Sequence, residues 1–250
     1  MKKILTLCLL ITASSALALN NFPLPPTELN TETKMEIREK SSDKVTKKMS
    51  GKYTKGNGYL VYTEISQKIK DGKEYDAKRQ TFFKLKGKKI SIDSVLTEVS
   101  LAGASVTKTQ INYDWKTKKA IFNSTNYLKD KTTTKNINLT DPTFSPDGFS
   151  LYFRDLIINK IKKSSFKLIT ADGSTFTMSV KVNQTPETLS VKGKEINCYK
   201  VTMKPDMGWL SMVLPELNFW YEVKSPHDFV RYAGLESGLG SPDIIQEIIN

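Results

Sequence analysis

From Val45 onward apolar and polar residues alternate at period two, and turn residues recur at short intervals. That rhythm predicts an antiparallel all-β fold. The clearest strand runs from Thr175 to Val182, with Phe176, Met178, Val180 and Val182 on one face and Thr177, Ser179 and Lys181 on the other. One face is then buried and the other wet. Tyr199, Val201 and Met203 repeat the pattern, as do Ile111, Tyr113 and Trp115, and again Phe219, Tyr221 and Val223. Hairpin signals stand at Asp71-Gly72, Lys86-Gly87-Lys88, Asp172-Gly173 and Lys192-Gly193-Lys194. About ten strands are expected, close to the size at which an open sheet must curl or split.

One segment breaks the alternation. Ser145-Pro146-Asp147 has the form of a helix start, a capping residue followed by proline in the first turn. Phe149, Tyr152, Phe153, Leu156 and Ile157 follow at helical spacing, and strands resume at Ser164. A single amphipathic helix in an all-β chain is expected to lay its aromatic stripe on the concave face of the sheet. Ahead of the strands, Asn20 to Pro26 carries three prolines and reads as extended, while Thr27 to Asp43 is polar and reads as the start of a short helix. Residues 19–43 are thus an N-terminal lead-in. With no Gly/Ser/Pro-rich linker after them, residues 44–250 form one domain.

Residues 1–18 have the pattern of a cleavable signal peptide: Lys2-Lys3, an apolar run from Ile4 to Ile11, and small residues in Ala16-Leu17-Ala18. The apolar run is short of the roughly 20 residues that span a bilayer, so no transmembrane span is expected in the mature chain. Leu7 precedes Cys8 where lipid attachment needs a small residue. The expected location is the periplasm, or outside the cell. Losing Lys2 and Lys3 lowers the formal net charge from +12 to +10. An exported basic chain meets anionic envelope surfaces and acyl lipids, not nucleic acid. The same excess also fits solvated strand faces, since of 38 basic residues only Arg38, Arg79, Arg154 and Arg231 are arginine.

After cleavage Cys198 is alone, so no intramolecular disulfide is expected and stability must come from the core. Its neighbours Tyr199 and Val201 point to the opposite face, and an inert, half-buried thiol is expected. His227, the one histidine, stands between Pro226 and Asp228 in a turn between the last two strands. Neither metal ligand sets, nucleophile elbows nor phosphate loops are present, so no metal, no cofactor and no catalytic residue is assigned.

Several short motifs together carry a resemblance. They are Ile111-Asn112-Tyr113-Asp114-Trp115, Asp141-Pro142, the helix from Ser150 through Tyr152 to Arg154, Asp172-Gly173, Glu187 and Gly193 with Cys198-Tyr199-Lys200-Val201. Phe219-Trp220-Tyr221, Pro226-His227, Val230-Arg231-Tyr232 and Gly240-Ser241-Pro242 complete the series. In that order, over residues 105–250, they resemble an uncharacterised family of exported bacterial proteins, a domain of unknown function similar in architecture to the lipoprotein carriers LolA and LolB. The resemblance implies a β half-barrel whose apolar concave face is partly filled by a helix. The leading expectation is a non-enzymatic protein that binds an apolar or amphiphilic ligand, a lipid or lipoprotein acyl chain, in that concavity. Its lining would comprise Phe176, Met178, Val180, Tyr199, Val201, Met203, Phe219 and Tyr221, with Phe149, Tyr152 and Phe153 as a lid. The same residues also fit a closed, dry core. Two other classes stay open: an envelope interaction module using a basic outer face, and a carboxylate-based hydrolase.

Overall fold

The computed structural model describes residues 22–24, 29–70, 72–87, 89–140, 142–208, 213–237 and 240–249. The expected signal peptide, residues 1–18, lies outside them. Among the described residues 17 strands form one open, curved sheet, and a single α-helix stands near the middle of the chain. The first half contributes β1 (Phe22–Pro23), β2 (Thr33–Glu39), β3 (Val45–Gly56), β4 (Tyr59–Lys70), β5 (Lys73–Lys86), β6 (Lys89–Leu101), β7 (Ala104–Asp114), β8 (Lys119–Asn126) and β9 (Lys131–Asn138). Then come β10 (Thr143–Phe144), a 3-10 turn over Pro146–Gly148, α1 (Phe149–Ile158), β11 (Lys163–Ile169) and β12 (Thr175–Val182). The chain closes with β13 (Glu187–Val191), β14 (Lys194–Pro205), β15 (Leu217–Glu222), β16 (Phe229–Leu235) and β17 (Asp243–Ile248).

The count of 17 corrects the ten or so strands expected from the alternation. Tight turns with positive φ at Asn57-Gly58 and Ala102-Gly103 cut the chain at places where no hairpin is expected. Strand β9 is nearly all lysine, threonine and asparagine, with Ile137 alone buried, so it carries no apolar alternation to read. The polar stretch Thr27–Asp43 holds strand β2 where a short helix is expected. Met35 and Ile37 turn inward there, and pairing to both β3 and β17 fixes the strand. Trp115 and Val223 lie one residue past the ends of β7 and β15.

Consecutive strands pair antiparallel from β2 to β9 and from β14 to β17, and β17 pairs with β2, so the two halves of the chain join edge to edge. Strands β10 and β11 pair parallel, with Thr143 beside Lys167. A parallel neighbour requires a crossover connection, and α1 is that crossover. Ser145 marks the start, but not by capping: its hydroxyl donates to the Asp147 carboxylate at 2.7 Å, and no side chain caps either helical turn.

The principal core draws on both halves of the sheet and on α1. Phe83, Ile92, Tyr113 and Phe122 from the first half meet Leu156, Phe166, Met178, Val201 and Tyr221 from the second. Outside the curve, the start of β14 and its partner β13 cover a smaller cluster of Val191, Cys198, Trp220 and Val230. Cys198 is fully buried there, not half-buried, because Val191, Trp220 and Val230 pack around it on that face. Beside it Glu247 is buried between Arg38 and Arg231. His227 lies in the turn between β15 and β16, with β17 still to follow, and its Nδ1 stands 2.9 Å from the Glu222 carbonyl oxygen.

Candidate functional site

Beside α1 the curved sheet leaves space unfilled, part of an open cleft of about 1680 Å³ that runs on past the β13–β14 hairpin, where Val191 and Ile196 also line it. Ordinary small-molecule pockets hold roughly 300–1,000 Å³. Phe176 and Met207 line it and are each 46% exposed, so the cleft opens to solvent beside them.

Six of the eleven residues expected at a ligand site line this space: Phe149, Phe176, Met178, Met203, Phe219 and Tyr221. The other five do not. Tyr152, Phe153, Val180 and Val201 are buried in the principal core, and Tyr199 packs at its edge with its ring 6.0 Å from that of His227. The expected lid is therefore split along its length. Tyr152, Phe153, Leu156 and Ile157 are embedded in the sheet, while Phe149, Leu151 and Arg154 also face the cleft. Phe153 stacks on Phe149 at 5.5 Å and meets Phe219 at 4.9 Å, which fixes the cleft wall through the helix. Arg154 holds the other side. Its Nε donates to the Pro226 carbonyl at 2.7 Å and its Nη1 to the Leu24 carbonyl at 3.0 Å.

Along the far wall, β2, β3, β16 and β17 contribute Met35, Ile37, Met49, Tyr232 and Ile244, a flexible apolar surface rich in methionine. Gly51 permits a close approach on this wall. A Cβ there would fall 2.0 Å from the Tyr62 hydroxyl, so only glycine lets that ring lie across β3 against Tyr53, 4.7 Å away.

The cleft also holds charges that do not appear among the expected residues. Arg79 on β5 lies directly across from Glu64 on β4 and stands 3.9 Å from its carboxylate and 3.6 Å from Asp147. Asp147 accepts further hydrogen bonds from Thr81 at 3.1 Å and from Ser145. The nearby Asp147 carboxylate raises the Arg79 pKa, and burial raises that of Glu64 against the pull of Arg79 and Lys47. Lys47 on β3 faces Lys68 on β4, and Lys68 is ion-paired to Glu236. Burial lowers the Lys47 pKa. Burial also raises Tyr53 and Tyr62, keeping both phenols neutral. A sequence signal for this group does exist. Lys47 shares its face with Met49 and Tyr53, Glu64 with Leu60 and Tyr62, and Arg79 with Thr81 and Phe83, so each charge sits in phase with the buried side of its strand.

Among the described residues no group of three or more His, Cys, Asp or Glu side chains is gathered as a metal site, and no helix is long and apolar enough to cross a membrane.

Fold and cleft define an all-β protein with an open curved sheet, one crossover helix and a large apolar cleft beside that helix. The chain belongs to the family described as a protein of unknown function, DUF3108, whose pattern matches residues 102–241. Comparison with curated proteins and with solved structures gives no match. The matched segment contains α1, Asp147 and Arg154 and leaves Lys47, Glu64 and Arg79 outside it.

Proposed function

We propose that this chain is an exported, non-enzymatic protein that holds an apolar or amphiphilic ligand, an acyl chain, in the cleft between α1 and the curved sheet. The cleft itself carries the reading. It is open to solvent and has room for a chain-like ligand, and Met35, Met49, Met178, Met203, Phe176 and Phe219 give it an apolar wall. Methionine and phenylalanine walls adapt to a chain of variable length and shape. The resemblance to a family similar in architecture to the LolA and LolB carriers supports the same reading, as does the signal-peptide pattern of residues 1–18, which fits export to the periplasm, where such ligands occur.

Native mass spectrometry of protein isolated from its own cells tests this directly. One bound amphiphile per chain, released on unfolding, is the expected result. Bare protein, both as isolated and after incubation with fatty acids or phospholipids, would overturn the reading and leave an envelope interaction module in its place.

A further inference from the structure

We infer that Lys47 is the head-group site of the cleft, and that the ligand it selects is a single-chain amphiphile ending in a carboxylate. The inference rests on the reading above and adds the chemical class of the ligand. The cross-strand pairing shows how the charge arises. Lys47 and Lys68 are direct partners on adjacent strands, an arrangement that is unfavourable unless each ammonium finds a counter-charge. Glu236 takes Lys68. Arg79 sits between Glu64 and Asp147, so those carboxylates are engaged as well. Among the described residues no ion pair or side-chain hydrogen bond includes Lys47, although it lines the cleft and is partly buried.

The Lys47 ammonium makes no direct ion pair, although Glu64 and Glu236 lie within electrostatic reach of it, so a ligand carboxylate can pair with it directly. A ligand carboxylate brings a single negative charge to a site where Lys47, Lys68 and Arg79 already stand beside Glu64, Glu236 and Asp147, and a doubly charged phosphate would add a second one against the same three carboxylates. The surroundings supply the place for the chain. Ile37 is the cross-strand neighbour of Lys47 on β2, Met49 follows two residues along the same face, and with Met35 and Ile244 they form a continuous apolar patch. An acyl chain laid on that patch ends at the Lys47 ammonium. A charge-assisted hydrogen bond in a partly desolvated cleft then favours the acid over an uncharged analogue.

The test compares a medium-chain fatty acid with the alcohol of the same length, by calorimetric titration of the full chain and of two variants at neutral pH. The acid is expected to bind about tenfold more tightly than the alcohol to the native protein. Lys47→Met should bring that ratio close to one, and Lys47→Arg should keep most of it. A ratio unchanged in Lys47→Met, with both ligands still bound, would overturn the head-group assignment while leaving the cleft as a ligand site. Binding of neither ligand to the native protein would end both readings.

Discussion

The Asp147 carboxylate stands 3.6 Å from Arg79 Nε and accepts a hydrogen bond from Thr81, so the turn that opens α1 is fastened to strand β5 across the concave face. Asp147→Asn keeps the shape and removes the charge. With Arg79 left only the more distant Glu64, a stability loss of about 1–3 kcal/mol is expected in urea unfolding, the scale of a lost charge-assisted hydrogen bond. A change within about 0.5 kcal/mol, as for an ordinary surface substitution, would show that the contact does not anchor the helix.

Two phenylalanines separate core from cleft. Phe153 is fully buried, so Phe153→Ala is expected to cost about 3–5 kcal/mol. Phe176 lines the mouth of the cleft and is 46% exposed, so Phe176→Ala should cost less than about 1 kcal/mol while weakening acyl-probe binding. If Phe153→Ala were mild and raised probe binding, α1 would be a displaceable lid and not a fixed wall.

Much of this architecture was legible in the residues themselves. The strand Thr175–Val182 matches β12, and the aromatic stripe from Phe149 marks α1, because a half-buried strand and an amphipathic helix write opposite periods into the sequence. Strands such as β9, whose two faces are both polar, write neither period. Phe149, Phe176, Met178, Met203, Phe219 and Tyr221 were legible as concave-face residues, but periodicity cannot tell a core position from a cleft wall. That difference depends on where α1 stops filling the curve. Lys47, Glu64 and Arg79 are each in phase with the buried face of a strand, but that these charges meet one another emerges only when the strands are paired. All four arginines, by contrast, end on carboxylates or backbone carbonyls. Arg38 and Arg231 meet Glu247, Arg79 meets Glu64 and Asp147, and Arg154 reaches Pro226 and Leu24. A planar guanidinium with five donors suits such positions better than an ammonium.

Cys198 packs among Val191, Trp220 and Val230, and burial, with Glu222 adding to it, pushes its thiol up to about 11. At pH 8 it should therefore resist alkylation by iodoacetamide in the folded protein and react fully in denaturant. Rapid labelling of the native chain would contradict this burial and reopen a reactive role.

Lys47 makes stability depend on pH with a definite sign. Its folded pKa lies below the ordinary 10.5, so between the two values the unfolded chain binds more protons and stability rises with pH. The penalty of burying this ammonium is fully present below the lowered value and relieved as pH climbs toward 10.5. Lys47→Met should thus be more stable than the native chain at pH 7, with the gap narrowing in the alkaline range. Urea unfolding at both pH values checks it, and a gap that stayed constant would show that Lys47 is fully hydrated.

The central claim is that the folded chain carries an acyl ligand in the cleft beside α1, and titration of the full chain with a fluorescent long-chain fatty acid measures this most directly. Saturable one-to-one binding is predicted, displaced by unlabelled fatty acid, weakened in Phe176→Ala and abolished by unfolding in urea. A folded protein that gave no saturable signal at any probe concentration below self-association would contradict the account.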